Sequence, residues 1–281
     1  MNVNFQERSR LRYSAAYPTG AERHSLVLFF EGTGQGVEGR FTNVTRLKEL
    51  CIDDDNQRLH LEAGPGTHFG AYLFGKVFGS DCRAILKTSR RWFQQAHSDL
   101  PDAKIFLFGF SRGALLARYF AEWLDRQGIA VECLGLWDTV DSTMRLDVSP
   151  NCPNAVRFAR HAIARDERRR YFDIVRLLPR LDGKGECEEL VFPGCHSDIG
   201  GLYEDNHLMA GLTLAWIARW AQARGLRLKL SAQLADEEVD AKRVVLHNSS
   251  RLASNLWGAL GSVKRDLKAV LEHALCSRCE W

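Results

Sequence analysis

The chain has 281 residues, enough for one large α/β domain or two small ones, and 45% of them are hydrophobic, as in globular proteins. A formal net charge of +3, from 38 basic and 35 acidic residues, is too small for the strongly basic face that nucleic-acid binding needs. The N-terminus lacks an apolar run of signal-peptide length, and the longest apolar run is shorter than a membrane span. We therefore expect a protein that is cytoplasmic as synthesised, with no nucleic-acid partner.

The N-terminal part of the chain alternates strand patterns with helix patterns. Ser25–Phe30 is a short, continuous apolar run typical of a buried parallel strand, and a glycine-rich loop beginning at Glu31 follows it. Asn43 is a plausible N-cap for the next helix. Residues 59–70 have the pattern of a strand that runs into a loop, and residues 81–100 carry apolar side chains at helical spacing.

The central part of the chain places a serine between two glycines, where a strand pattern meets a helix pattern. The strand is predicted over Lys104–Phe108, the turn over Gly109–Gly113, and the helix from there to Gly128. Val131–Trp137 is another buried strand pattern, and a polar loop follows it. We expect Met144–Arg180 to be helical and rich in arginine.

The C-terminal part continues the alternation. Residues 189–201 predict a strand that opens into a glycine-bearing loop, and residues 207–225 predict a long helix. The last forty residues contain a strand-like run at 243–247 and an amphipathic helix with an apolar stripe from Leu252 to Leu267.

This order of elements predicts an α/β fold with a mostly parallel sheet covered by helices on both faces. We expect one domain over residues 1–281, with a small helical cap inserted at 142–188. In such a sheet the loops at the carboxyl ends of the strands form the ligand crevice.

Ser111 occupies one of these loops, in the sequence Gly109-Phe110-Ser111-Arg112-Gly113. The turn in G-x-S-x-G is so tight that flanking side chains clash, and glycine there permits a strained serine with an exposed Oγ. The following helix directs its backbone N–H groups and positive dipole end at the same place, which suits a developing oxyanion. A serine hydroxyl also needs a base to take its proton and a carboxylate to orient that base.

The expected partners come later in the chain, in the order Ser, Asp, His. Asp138 lies directly at the carboxyl end of a predicted strand, and His196 follows a later strand in a glycine-bearing loop. We therefore predict that these two residues form a triad with the serine. The pattern leaves alternatives open: Asp141 or Asp198 as the orienting carboxylate, His247 as the base, and His196 as a residue that only braces its loop.

A metal-dependent hydrolase is a second hypothesis, because His196, Asp198, Asp205 and His207 could gather an ion. The spacing of these residues matches no strong metal signature, and carboxylates beside a histidine also occur in triads. We therefore expect no metal.

Eight segments of the sequence match the motifs of one protein family. They are LVLFFEGTGQG, TNVTRL, FGFSRGALLAR, LGLWDTVDS, HAIARDERRR, LVFPGCHSDIGGLY, LTLAWI and VVLHNSS, in the family's order from about Leu26 to Ser250. On these motifs the chain resembles the α/β-hydrolase domain of type VI secretion phospholipase effectors, and the broader uncharacterised-domain family that contains them. The pair GFSRGA and GCHSDIGG is far more specific than G-x-S-x-G alone.

The resemblance implies an α/β-hydrolase fold with a catalytic serine, aspartate and histidine at Ser111, Asp138 and His196, the residues that spacing also favours. The expected function is a serine hydrolase, an esterase or lipase that cleaves carboxylic esters of lipids or phospholipids without a cofactor. In this reaction the serine attacks the ester carbonyl, the histidine takes the proton, and the aspartate fixes the histidine tautomer.

The oxyanion is expected to accept hydrogen bonds from the backbone N–H groups of Arg112 and of Gly32 or Thr33. The family usually opens this loop with Asp-Gly-Thr and a nearby asparagine, whereas here Glu31 and Gln35 are each one methylene longer. These departures keep a third hypothesis open, that the chain is a non-catalytic module of hydrolase fold that binds a lipid or a protein.

The expected partners are a lipid or small-molecule ester, a membrane surface, and an immunity or delivery protein, with the chain delivered to another cell or acting at a membrane. The arginine-rich segment 157–180 has two interpretations. It is a cap whose cations meet phospholipid headgroups, or an ordinary solvated helix with i,i+4 pairs such as Asp166 with Arg170.

Overall fold

The computed structural model describes residues 24–35, 42–65, 78–141, 148–170, 172–203, 208–229 and 246–247. Within these ranges the chain forms six strands and five helices. In chain order they are β1 (Ser25–Phe30), α1 (Asn43–Leu50), β2 (Gln57–Glu62), α2 (Phe78–Asp99), β3 (Lys104–Phe110), α3 (Arg112–Arg126), β4 (Val131–Trp137), β5 (Val156–Ala164), β6 (Glu186–Phe192), α4 (His196–Gly200) and α5 (Leu208–Gln222).

The six strands form one parallel sheet in the order β2-β1-β3-β4-β5-β6. Phe110 at the end of β3 is paired with Trp137 at the end of β4, and Trp137 is paired with Ala162 of β5. Because the strands are parallel and their ends are aligned, the residues that follow them emerge at one edge of the sheet. The loops after β3, β4 and β5 therefore meet there.

Helices cover both faces of the sheet, and β1 contributes side chains to both layers. Leu26, Leu28 and Phe30 pack in one buried cluster with residues of α2 and α3. Val27 and Phe29 pack in a second cluster with residues of α1 and α5. All five side chains are buried, which is why β1 is a continuous apolar run. The predicted α/β fold, with a mostly parallel sheet between helices, is confirmed.

The prediction that Met144–Arg180 is helical is wrong for the described residues. Val156–Ala164 form β5, and the other described residues of this segment contain no helix. The described part of the region 142–188, where we expected a helical cap, consists of strand and loop.

The charged residues of this segment suggested a solvated helix, but their partners differ from those that a helix would supply. Arg160 of β5 pairs with Glu188 of β6 at 2.9 Å. Asp166, expected to pair with Arg170 one helical turn later, instead pairs with its neighbour Arg165 at 3.0 Å. The pairing of β5 with its neighbouring strands, and not the local helical pattern of the sequence, therefore determined the conformation of this segment.

The start of α1 also differs from the prediction. Thr42, not Asn43, is the N-cap, and its Oγ1 accepts hydrogen bonds from two helix N–H groups at 3.1 and 3.4 Å. Asn43 is the first helical residue, and its side-chain amide donates to the carbonyl groups of Ile199 and Ala210 at 3.0 and 2.9 Å. Asn43 thus ties α1 to α4 and α5.

A short helix, α4, occupies part of the loop that we predicted after β6. The amphipathic helix predicted over residues 252–267 lies outside the described residues, as do residues 243–245 of the predicted strand at 243–247. In the part of the chain that the structure describes, no helix has both the length and the apolar character needed to cross a membrane.

Arg118 of α3 is a fully buried cation that joins this helix to two loop segments. One guanidinium nitrogen donates to the carbonyl groups of Val175 and Arg176 at 3.1 and 2.8 Å. The other donates to those of Ser149 and Pro150 at 2.6 and 3.4 Å. The loops that flank β5 and β6 are therefore fastened to α3 through their main chains.

Two helical glycines provide a matched test of how closely α3 packs against β1. A Cβ at Gly113 would lie 2.1 Å from the carbonyl oxygen of Phe30, whereas a Cβ at Gly211 would meet nothing within 4 Å. We expect Gly113→Ala to lower the free energy of unfolding by about 1–3 kcal/mol through overpacking. Gly211→Ala should raise it by about 0.5–1 kcal/mol, because alanine loses less entropy than glycine in a helix. Urea denaturation measures both, and an unchanged midpoint for Gly113→Ala would contradict the close contact of α3 with β1.

Candidate active site

Ser111 lies in the turn between β3 and α3, in a backbone conformation that L-residues rarely adopt. Its φ is 59° and its ψ is −126°. A Cβ at Gly109 would lie 2.6 Å from the carbonyl oxygen of Gly113, and a Cβ at Gly113 would lie 2.1 Å from that of Phe30. The strand, the turn and the helix thus approach one another more closely than a side chain at position 109 or 113 would permit. The two glycines therefore hold Ser111 in a strained conformation at the carboxyl edge of the sheet.

His196 is the first residue of α4, and its ring faces the serine. Its Nε2 lies 2.9 Å from the Oγ of Ser111, within hydrogen-bond distance. The ring stacks on Phe110 with centroids 4.5 Å apart, and it meets the ring of Phe172 edge-on at 5.0 Å. These aromatic contacts restrict the orientation of the imidazole.

Asp138 follows β4 and links the imidazole to β5. Its Oδ2 lies 2.6 Å from Nδ1 of His196, and its Oδ1 accepts a hydrogen bond from the N–H of Ala164 at 2.8 Å. Its φ is 41°, a second positive value at a residue other than glycine. The N–H of Asp138 donates to the carbonyl of Ala162 at 2.7 Å. Strand β5 therefore holds both the backbone and the side chain of Asp138.

The structure thus brings Ser111, His196 and Asp138 into one hydrogen-bonded row. A carboxylate only accepts, so Nδ1 of His196 donates to Asp138, and Nε2 accepts from the serine hydroxyl. Burial lowers the pKa of His196 from its ordinary value of 6.5, although the hydrogen bond and charge of Asp138 oppose this. The imidazole is therefore neutral at pH 7 and able to take a proton.

The alternative residues lie elsewhere among those that the structure describes. Asp198 pairs with His247, whose Nδ1 is 2.6 Å from its Oδ1. The other oxygen of Asp198 accepts a hydrogen bond from the N–H of Cys195 at 2.8 Å. Asp141 is exposed in the loop after β4. Asp198 and His247 form a separate pair that braces the start of α4.

The residues expected to hold an oxyanion lie on two sides of Ser111. Arg112 begins α3, and the N–H groups in the first turn of a helix point out of its N-terminal end. Gly32 follows β1, and a Cβ built on it would lie 3.4 Å from that of Ser111. Because the N–H of Gly32 donates to Oε2 of Glu31 at 3.2 Å, the N–H of Thr33 is the better candidate from this loop.

Glu31, one methylene longer than the family's aspartate, is a buried carboxylate that organises the loop after β1. It accepts hydrogen bonds from Oγ1 of Thr42 at 2.7 and 2.9 Å, and from the hydroxyl of Thr45. Burial raises the pKa of Glu31, although these hydrogen bonds oppose the rise. Gln35 is also buried, and its side-chain amide donates to the carbonyl of Thr33 at 3.4 Å. Glu31 therefore joins the loop to the first turn of α1.

Glu167 is a residue of this site that our sequence analysis missed. It is 2% exposed, and its Oε2 accepts a hydrogen bond from the backbone N–H of His196 at 3.2 Å. Arg169 donates to both carboxylate oxygens at 3.0 Å, and its guanidinium carbon lies 3.5 Å from the ring centroid of Phe172. Burial favours a higher pKa, but the hydrogen bonds and charge of Arg169 lower the pKa of Glu167 to about 2. The signals in the sequence were an acidic residue in a run of arginines and its place in the motif-like segment HAIARDERRR.

The second hypothesis placed a metal ion among His196, Asp198, Asp205 and His207. Asp205 and His207 lie outside the described residues. His196 and Asp198 have the different partners given above. Within the described ranges, no group of three or more His, Cys, Asp or Glu side chains is arranged to hold a metal ion.

One family model matches the sequence. It describes the catalytic domain of Tle1-like phospholipase effectors of the type VI secretion system (T6SS), and it matches residues 24–132 and 125–220. No curated protein matches the sequence significantly.

Solved structures with a similar fold include a Tle1 effector bound to the VgrG spike of the type VI secretion system. That match has a TM-score of 0.48 and 23% identity, and covers 66% of this chain and 52% of the effector, so this chain spans about half of the effector's length. A thioesterase, RedJ, from prodiginine biosynthesis in Streptomyces coelicolor matches with a TM-score of 0.39 and 15% identity, over 73% of this chain and 98% of its own. Est1E from Butyrivibrio proteoclasticus, bound to ferulic acid, matches with a TM-score of 0.42 and 10% identity, over 74% of this chain and 92% of its own.

The low pKa of Glu167 predicts how stability depends on pH. A glutamate in the unfolded chain titrates near its ordinary pKa of 4.5, whereas Glu167 in the folded protein has a pKa of about 2. Between these values the unfolded state binds more protons, so the stability that Glu167 contributes is present above pH 4.5 and lost as the pH falls toward 2. We therefore expect Glu167→Gln to be less stable than the wild type at neutral pH, and to lose less further stability on acidification.

Urea denaturation at a series of pH values measures this difference. Glu49→Gln, which changes an exposed glutamate of α1, is the matched control and should follow the wild type. If Glu167→Gln and the wild type lose stability in parallel between pH 4.5 and 2, the charged state assigned to Glu167 is wrong.

Proposed function

Because the chain belongs to the family of Tle1-like phospholipase effectors of the type VI secretion system, as a catalytic domain with an α/β-hydrolase fold, we propose that it is a serine esterase. Its proposed substrates are carboxylic esters, specifically the acyl esters of lipids or phospholipids. The observation that carries the proposal is the row of hydrogen bonds from Ser111 through His196 to Asp138. Family membership supports ester hydrolysis, and this row supports a serine nucleophile.

In the proposed reaction, Oγ of Ser111 attacks the ester carbonyl carbon while Nε2 of His196 takes the hydroxyl proton. Asp138 keeps Nδ1 protonated and stabilises the imidazolium that results. The carbonyl oxygen becomes an oxyanion that accepts hydrogen bonds from the N–H groups of Arg112 and Thr33. The imidazolium then protonates the leaving alcohol, and a water molecule deprotonated by the same histidine hydrolyses the acyl-serine.

Burial strengthens the electrostatic part of this proposal. Ser111 is 5% exposed and His196 is 3% exposed, so their charges and dipoles interact in a low-dielectric environment. The hydrogen bond and charge of Asp138 favour the protonated ring that forms during attack, whereas the charge of Arg169 opposes it and offsets the favourable charge of Glu167. Asp138 is thus the main group that opposes the effect of burial on His196.

Replacing the nucleophile tests the mechanism. We expect Ser111→Ala to reduce turnover of a short-chain ester by at least about 1,000-fold, because no other group in the row can form the acyl intermediate. The wild type, but not the variant, should form a covalent adduct at position 111 with a fluorophosphonate, detected by mass spectrometry. Ser25→Ala, which removes a buried hydroxyl at the opposite end of β1, is the matched control and should keep full activity. Unchanged turnover by Ser111→Ala would rule out this serine as the nucleophile.

Exposed arginines near the site support a phospholipid substrate at a membrane surface. Arg168 and Arg170, in the loop after β5, are exposed, whereas Arg169 between them is bonded to Glu167. The same loop contacts α4, because Glu167 accepts a hydrogen bond from the N–H of His196. Guanidinium groups bind phosphate oxygens with two hydrogen bonds, and basic residues near an anionic membrane each contribute about 1 kcal/mol.

Charge reversal separates lipid binding from chemistry. We expect Arg168→Glu with Arg170→Glu to weaken binding to vesicles that contain anionic phospholipid by at least about 10-fold, because two attractive charges become repulsive. Turnover of a soluble short-chain ester should stay at the wild-type value. Lys87→Glu with Arg91→Glu, which reverses two exposed charges on α2, is the matched control. An equal loss of vesicle binding in both double variants would show that only overall charge matters.

The same proposal includes the partners and the site of action. Membership of a family of secretion effectors supports a delivery protein and an immunity protein as partners. It also supports action on a membrane of another cell. The delivery protein would bind the chain before delivery, and the immunity protein would bind it afterwards.

A further inference from the structure

Another histidine–carboxylate pair lies behind the proposed triad, within the sheet. His161 of β5 is paired with Leu136 of β4 on one side and with Glu189 of β6 on the other. The side chain of His161 is completely buried, and Glu189 is 8% exposed. The proposed mechanism gives neither residue a role, although a buried pair of ionisable groups is costly to maintain.

The two ring nitrogens of His161 have different partners. Nδ1 lies 2.9 Å from Oε1 of Glu189, and Nε2 lies 3.0 Å from the backbone N–H nitrogen of Thr139. A backbone N–H can only donate, so Nε2 must be the acceptor and the ring proton must be on Nδ1. A carboxylate thus fixes the tautomer of a histidine here, as Asp138 does for His196.

Glu189 is itself firmly held. Its Oε1 also accepts a hydrogen bond from the N–H of Leu177 at 2.7 Å, and its Oε2 accepts one from Nε of Arg176 at 2.5 Å. Burial favours a higher pKa, but the hydrogen bond with His161 and these neighbours keep the pKa of Glu189 below its ordinary value. The carboxylate is therefore charged and available to His161 across the neutral pH range.

The residue that His161 binds adjoins the strained aspartate of the triad. Asp138 has a φ of 41°, and Thr139 follows it directly. Thr139 is held on both sides, because its carbonyl accepts a hydrogen bond from the N–H of Val175 at 2.9 Å. We propose that His161, oriented by Glu189, is a positioning residue that fixes Thr139 and thereby holds the carboxylate of Asp138 against His196. The inference rests on the proposed function, in which Asp138 orients the general base.

Two polar substitutions separate the two hydrogen bonds of His161. In His161→Gln, the side-chain carbonyl can occupy the place of Nε2 and accept from Thr139. In His161→Asn, the shorter amide can replace Nδ1 toward Glu189 but cannot reach Thr139. Both variants bury a neutral amide at the same position, so a role in packing alone predicts similar effects.

We expect His161→Asn to lower kcat for a short-chain ester by about 10- to 100-fold with little change in KM, because the lost interaction affects the transition state. His161→Gln should recover activity to within about fivefold of the wild type. The charge of Asp138 raises the pKa of His196, so a displaced carboxylate should move the acid limb of the kcat/KM profile to lower pH in His161→Asn only. Equal activities of the two variants, or an acid limb that does not move, would overturn the proposal.

One measurement uses the wild type alone and so does not depend on the folding of a variant. Nitrogen NMR of the wild type, labelled at histidine, should show a neutral His161 that carries its proton on Nδ1. A charged ring, or a proton on Nε2, would overturn the proposal. If Ser111→Ala keeps full activity, the proposed function fails; if Ser111 is essential and His161→Asn behaves like the wild type, only this inference fails.

Discussion

The hydrogen bond from the N–H of Ser111 to the carbonyl of Trp137, 3.0 Å long, joins the two turns on which the whole site depends. Trp137 directly precedes Asp138, so the turn that carries the serine is bonded to the turn that carries the carboxylate. Both turns contain a non-glycine residue with positive φ, at 59° and 41°. Each such conformation costs about 1–3 kcal/mol, and it persists only where the interactions of the surrounding structure outweigh that cost. Here the surroundings are the aligned ends of two parallel strands, β3 and β4.

Buried glutamates outside the triad hold the loops that surround it. Glu31 joins the loop after β1 to the start of α1, and Glu167 joins the loop after β5 to the backbone of His196. Glu189 receives hydrogen bonds from Leu177 and His161. Each of these carboxylates accepts several hydrogen bonds, which offset the cost of burying the charge of Glu167 and Glu189 and reduce that cost for Glu31. Loops are generally the most mobile part of a sheet edge, and these contacts restrict the conformations open to them.

The sequence predicted best those parts of the structure whose environment is local. Buried central strands such as β1 are continuous apolar runs, and the glycines beside Ser111 mark a tight turn, so both could be predicted without knowledge of distant partners. Strand β5 could not be predicted, because the partners that accommodate Arg160, Glu188 of β6 and the carbonyl of Trp216 in α5, are distant in sequence. The choice between His196 and His247 was equally non-local, since it depends on which loop reaches the serine. The positive φ at Asp138 had only a weak signal in the sequence, because aspartate adopts this conformation more often than most residues.

Arg118 has a consequence for how sequences of this fold can diverge. Its guanidinium binds four main-chain carbonyl groups, at Ser149, Pro150, Val175 and Arg176, and not their side chains. Any amino acid supplies a carbonyl, so the side chains at these four positions can change during evolution without loss of the hydrogen bonds to Arg118. Lysine lacks the planar guanidinium that donates to two segments at once, so only position 118 must keep its residue type, arginine. Among distant homologues, a lone invariant arginine opposite variable loops is the pattern that this arrangement would leave.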